Sequence, residues 1–430
     1  MIDEPAAPSG PTRRAVVSRV AATTALCALA AVADGPVTRR YAFAAERGPA
    51  ELDATPDRDV LVVVSLRGGF DGLSAVVPAG DPEYLDARPT IAIRQRRLLQ
   101  LDGSFGLHPA MAPLSRWWRN GQLAIVHAVG QVDPSRSHFR AMEELERAAP
   151  GSPVRTGWLD RTLGLDAGGS AFRASQVGSL QVPTALTGPV PAISMHSIAD
   201  VDLAAVASAA ERVRWTAALT GVHSGAAPRL ARPAATTLSA VATAAGVDAA
   251  VDHTGHEAAY PDSDLGAALR EVARLVRAQV GLQVACVDAG GWDLHAGAGD
   301  ADNGPMAERL GDLAASLDAF ARDLGPALDG VTVVTLSEFG RRVAENGSGG
   351  TDHGHGNAVF LLGGGVRGGQ VYGRWPGLDP GTLTDGDLAG TTDYRLLLGE
   401  ILQKRCGVGS LSTVFPGLRG DALGVLRSRS

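Results

Sequence analysis

The sequence predicts an α/β fold: a mostly parallel central sheet with helices on both faces. Three observations carry that expectation. Continuous apolar, β-branched runs of strand length recur along the chain. Segments with apolar residues at helical spacing lie between them. Polar clusters, several of them glycine-rich, come after the strand-like runs, and that is where α/β proteins place chemistry.

The first run is Asp59–Leu66 (DVLVVVSL), ending at Arg67-Gly68-Gly69. Leu123–Val129 is the second, preceded by the helix-like PAMAPLSRWWRNG, and Val190–Met195 is a shorter third. Leu282–Val287 and Val331–Leu336 come next, then Ala358–Leu362, stopped by three glycines. Helical spacing marks His138–Arg147, Leu265–Val280, Met306–Leu324 and Thr392–Leu402. The Ala/Thr/Val-rich stretch 203–256 reads as a helical insertion or cap within a single domain over residues 45–430.

Composition agrees with a packed enzyme-sized domain. The chain has 430 residues and is 45% hydrophobic, which excludes an intrinsically disordered protein. Its 54 glycines keep no triplet period and it holds 3 cysteines, so a collagen or a disulfide framework is excluded. A net charge of −7 without a basic stripe gives no reason to bind nucleic acid.

Residues 1–44 have the grammar of an export signal. Arg13 and Arg14 form a charged start, Val20–Ala33 is an uncharged apolar run, and Ala42-Phe43-Ala44 is a small-x-small cleavage site. The twin arginines point to the Tat route and to an extracellular or cell-envelope location. The run is too short for a comfortable membrane span, so no stable span is expected after cleavage. An uncleaved anchor is the alternative. Leu26 before Cys27 argues against a lipoprotein. Cys286, in an apolar run, is expected in a buried strand.

Four polar clusters stand at element ends. In the first, Arg67-Gly68-Gly69-Phe70-Asp71-Gly72, Asp71 is either a ligand carboxylate or the side chain of an Asx turn. In the second, Ser135-Arg136-Ser137-His138-Phe139, Ser137 reads first as an N-cap, since caps are far commoner, and second as a nucleophile at a helix N-terminus, with Arg136 able to clamp an anion. The third holds Asp293 and His295, a carboxylate and an imidazole that suit a divalent cation. The fourth is the strongest: Ser337-Glu338-Phe339-Gly340-Arg341, then Thr351-Asp352-His353-Gly354-His355-Gly356. Two His and one Asp within four residues of a Gly-rich loop point to metal binding. A solvated polar loop is the alternative.

The ordered motifs LVVVSLRGGFDGL, SRSHF, GGWDLH, TLSEFGRR and GTDHGHG resemble those of bacterial exported proteins called domain-of-unknown-function family 1501. That family is grouped with the alkaline phosphatase and sulfatase superfamily. The resemblance spans Asp59 to Leu402. It implies an alkaline phosphatase-like fold and a two-metal site that hydrolyses phosphate or sulfate esters. It also implies divalent ions (zinc, manganese or calcium) held by Asp71, Asp293, His295, Glu338 and His353, with Asp352 and His355 beside the last. Ser137 would be the nucleophile, and Arg67 or Arg136 would hold non-bridging oxygens. The substrate would be a small-molecule or glycan ester. Two departures stand out. Phe339 replaces the His of an Asp-His pair, which removes one ligand. Val132 stands where a formylglycine sulfatase needs Cys or Ser. The alternative reading is a non-catalytic exported binding protein of the cell envelope that keeps the fold.

Overall fold

The computed structural model describes residues 58–429 except 167, 204–207 and 252–257. The export-signal reading of residues 1–44 therefore lies outside the described residues, as do parts of the 203–256 stretch. Among the described residues, nine strands form one sheet: β1 Val60–Leu66, β2 Leu123–Gly130, β3 Ala174–Val177, β4 Ile193–Met195, β5 Val284–Ala289, β6 Val331–Leu336, β7 Asn357–Gly363, β8 Val371–Tyr372 and β9 Thr392–Asp393. Their order is β8-β2-β7-β6-β1-β5-β3-β4, with β9 also on β2. All pairings are parallel except those of β7, which runs antiparallel to β6 and β2.

β1 sits at the centre, with Val63 facing Cys286 of β5 and Val334 of β6 in register. Its side chains alternate between two cores, as a strand buried on both faces must. Val60, Val62, Val64 and Leu66 pack with α5 (Asp264–Arg277) and α6 (Pro305–Leu324). Leu61 and Val63 pack with α1 (His138–Arg147), α2 (Trp158–Leu163) and α7 (Tyr394–Arg405). The molecule is thus a mixed α/β protein with helices on both faces of a mostly parallel sheet.

The six strand-like runs are all strands: Val331–Leu336 keeps its boundaries, and the other five move by one to three residues. β3 has no apolar signature: Ser175 and Gln176 are polar yet fully buried, because the strand lies between β5 and β4. The 203–256 stretch carries α3 (Ala209–His223) and α4 (Pro228–Val251). Cys286 and Cys406 are buried free thiols. Among the described residues, no helix is long and apolar enough to cross a membrane.

The antiparallel strand returns directly from the functional edge. β1, β2, β5 and β6 end at one edge of the sheet, and β7, running the other way, begins there. The loop between β6 and β7 therefore stays at the same edge as the loops after β1, β2 and β5. Two glycines shape the first of these loops. Gly68 and Gly69 have φ of +120° and +76°, which L side chains rarely adopt, and a Cβ on Gly69 would lie 2.5 Å from the Phe339 ring.

Asp71 is not at this edge as a ligand. Its carboxylate caps the turn Gly72–Ala75 and takes two hydrogen bonds from Arg88, Nη1 at 2.7 Å and Nη2 at 3.0 Å. Burial pushes this carboxyl up, but Arg88 outweighs burial and holds it below the usual range. Arg88 in turn donates to the carbonyls of Arg342 and Val343, so the pair braces the loop after β6. Removing one partner of a buried pair strands the other charge. Asp71→Ala is expected to cost about 3–5 kcal/mol in urea unfolding while metal content stays unchanged. Loss of metal at unchanged stability would restore Asp71 as a ligand.

Candidate metal centre

Four loops meet at the sheet edge, after β1, after β2, after β5 and between β6 and β7, and the last of these folds back on itself through its backbone. Gly340 N–H donates to His355 O, Gly354 N–H to Gly340 O and Arg342 N–H to Asp352 O, each at 2.9 Å. This close approach needs Gly340, since a Cβ there would collide with Gly356 O. The pairing sets His353 opposite Arg341.

Three imidazoles converge on Asp293. His353 Nε2 lies 3.1 Å from Asp293 Oδ1, His295 Nε2 lies 3.0 Å from the same oxygen, and His138 Nε2 lies 3.5 Å from Oδ2. His138, Asp293 and His353 place one ligand atom each within 4.8 Å of one another, a group able to hold a metal ion. His295 Nε2 is 3.0 Å from His353 Nε2, which brings it into the same cluster.

The other ring nitrogen of each imidazole meets an acceptor. His138 Nδ1 faces Glu338 Oε1 at 2.8 Å, His295 Nδ1 faces Asp352 Oδ1 at 3.0 Å, and His353 Nδ1 faces the Arg136 carbonyl at 2.7 Å. Carboxylate and carbonyl oxygens have no proton to give, so each Nδ1 is the donor. That fixes one tautomer three times over and, in the neutral rings, leaves three Nε2 lone pairs facing Asp293. Lone pairs of His295 and His353 at 3.0 Å repel unless a cation or a proton lies between them. Ligand histidines in metal sites carry this outer hydrogen bond as a rule, so the residues fit a divalent cation.

Arg341 holds the arrangement. It is almost wholly buried, and it donates to Gly69 O at 2.7 Å, Thr351 O at 2.9 Å, Trp292 O at 3.0 Å, Asp293 Oδ1 at 2.6 Å and also Gly68 O. Partial burial would raise the Asp293 carboxyl. The hydrogen bond and charge of Arg341, with a hydrogen bond from His353 when its ring carries both protons, bring it down to about 2 instead. Hydrogen bonds from His295 and Asn346 hold Asp352 below the usual carboxylate range. Phe339 packs beside the rings of His138 and His353, with centroids 4.9 and 4.7 Å away.

The structure thus brings together Asp293, His295, Glu338, Asp352 and His353, but in two shells. Glu338 is buried, and its oxygens are taken by Gly68 N, His138 Nδ1 and Ser337 Oγ. Glu338 and Asp352 orient imidazoles, where the sequence pattern suggests ligands. His355 is turned away: its Nε2 donates to Gln131 O at 2.9 Å and its ring lies against Gly130 and Gly390. Arg67 is paired with Asp288 and Glu146, and Arg136 with Asp385 and Asp387, so neither guanidinium is free to clamp an anion. Ser137 is exposed at the N-cap position of α1, and its hydroxyl makes no capping bond. Asp71, braced by Arg88, belongs to the scaffold.

Two residues of the site are not singled out by the sequence. His138 stands in the SRSHF cluster, but the neighbouring hydroxyl draws the functional assignment. Arg341 has no signal beyond its place in TLSEFGRR, because the carbonyls it collects are scattered between residues 68 and 351.

Comparison with known proteins gives the family and little more. A solved structure, the C-terminal periplasmic domain of EcEptC from Escherichia coli in complex with Zn, aligns with 10% identity over 75% of this chain and 76% of that one, at a TM-score of 0.30. No curated protein matches the chain. The family described as "Protein of unknown function (DUF1501)" matches residues 58–399. The chain belongs to that family.

Proposed function

We propose that this protein is an exported, metal-dependent hydrolase of phosphate or sulfate esters, with one metal centre on an alkaline phosphatase-like α/β scaffold. The observation that carries the reading is the set of three imidazoles, each with Nδ1 committed to an acceptor and Nε2 gathered at Asp293. His138, His295, His353 and Asp293 would hold the ion. Zinc suits the nitrogen-rich set best among zinc, manganese and calcium, since imidazole favours zinc and calcium prefers oxygen. The described residues gather one such group, and Phe339 packs beside it, so the two-metal expectation reduces to one centre.

A bound divalent ion would polarise the ester and make a nearby hydroxyl more acidic. The chain's own residues supply the rest. Glu338, Asp352 and the Arg136 carbonyl keep the rings in one tautomer. Ser137 lies between Arg136 and His138, and its hydroxyl, free of a capping bond, is the proposed nucleophile. Its oxygen would bond to phosphorus or sulfur as the alcohol leaves, and water would release the acid. Export rests on the twin-arginine segment. Phe339 in place of a further ligand favours a second reading, an envelope protein that binds metal or ligand without turnover.

Aryl phosphates and aryl sulfates, offered to the full chain loaded with zinc, test the reading. Ser137→Ala is expected to lose on the order of 10³-fold or more in kcat while retaining metal. His353→Ala is expected to lose both metal and turnover. Full activity in Ser137→Ala would transfer the attack to water, and no hydrolysis by the wild type would leave the binding protein.

Metal affinity should also fall on acidification. Ligand imidazoles must be neutral, and the ordinary histidine titrates near pH 6.5, whereas Asp293 stays ionised down to about 2. Calorimetric titration with zinc is expected to give much weaker binding at about pH 5 than at about pH 8. Equal affinity at both would remove the imidazoles from the ligand set.

A further inference from the structure

The second loop of the site is held from outside it. Residues 132–134 are exposed, as are Arg136 and Ser137, yet the Arg136 carbonyl must stay in place to receive His353 Nδ1–H at 2.7 Å. The Arg136 side chain supplies the anchor. Its Nε and Nη2 donate to Asp387 Oδ2 at 3.1 and 2.7 Å, and its Nη1 donates to Asp385 Oδ2 at 3.0 Å. Asp387 is buried, whereas the Asp385 side chain is 80% exposed, so most of the anchoring rests on Asp387.

Asp387 itself stands on rigid backbone. Thr384–Asp387 is a tight turn closed by Thr384 N–H to Asp387 O and Asp387 N–H to Thr384 O, each at 3.0 Å. Its central residues, Asp385 and Gly386, have φ of +55° and +83°, the Asp-Gly signature of a type I′ turn. The same turn is tied to the loop after β6: Arg342 Nη2 donates to Asp385 O at 3.3 Å, and Gly356 N–H donates to Leu388 O at 2.8 Å. The turn therefore joins the loop before His138 to the β6–β7 loop that carries Arg341 and His353.

We infer that Asp387 is a positioning residue of the metal centre, acting through Arg136 to fix the orientation and tautomer of His353. This rests on the metal-centre reading for its consequence, but its geometry is a property of the apo protein. It also gives Arg136 a role that the sequence does not suggest: a tether instead of an anion clamp.

Two readouts separate the claims. In apo protein, long-range ¹H–¹⁵N spectra report the imidazole tautomer. His353 is expected as the Nδ1–H form in wild type and as a mixture in Asp387→Asn and in Arg136→Lys, which keeps a cation but lacks the planar fork. Cobalt titration followed by visible absorption is expected to give roughly 10–100-fold weaker affinity and an altered spectrum in both variants. If Asp387→Asn does not fold, Arg136→Lys carries the test alone. Wild-type tautomer, affinity and spectrum in the folded variants would overturn the inference. A tautomer change in a protein whose wild type binds no cobalt would uphold it and overturn the metal reading.

Discussion

One buried guanidinium is the constraint on which the site depends. Arg341 belongs to the loop between β6 and β7 and reaches carbonyls of the loop after β1, of the loop after β5 and of Thr351 further along its own loop. A charge taken out of water is costly unless its donors are matched. Here they are matched mainly by main-chain oxygens and by Asp293, the residue at the middle of the imidazoles. The arrangement of loops that satisfies the guanidinium is also the one that gathers three imidazoles around Asp293. The glycines at 68 and 340 let the backbones come this close, and Gly69 leaves room for the Phe339 ring and the Arg341 side chain.

Around this node the acidic groups divide by burial and partner. Asp293 is open on one side and kept ionised. Glu338 is enclosed and committed to His138. Asp352 is exposed and committed to His295. Asp71 is enclosed and neutralised by Arg88. Four carboxylates that look alike in sequence thus become one candidate ligand, two acceptors for imidazole Nδ1–H groups and a brace. Arg67 and Arg136 divide likewise, each spent on carboxylates of the scaffold.

The fold is readable in the sequence because its strands are long β-branched runs with period-breaking glycines at their ends, and its amphipathic helices declare their buried faces. β3 is not, because a strand fully enclosed by neighbours can carry Ser175 and Gln176 without an apolar signature. The candidate site is half readable. Asp293, His295 and His353 stand out because ligand-type side chains in short Gly-rich loops have few other uses. The split between ligand and orienting residue is not readable, since it depends on which ring nitrogen faces which loop. Asp387 gives no signal, because its link to the site runs through the main chain of Arg136.

The most direct test of a single imidazole-built metal centre is X-ray absorption on the zinc-loaded full chain, with the metal counted in the same sample. About one zinc per chain is predicted, with scattering from three imidazoles and one carboxylate oxygen in the first coordination sphere, and the imidazole signal falling by about one ring in His138→Ala. No bound zinc, or a sphere built from oxygen alone, would contradict it.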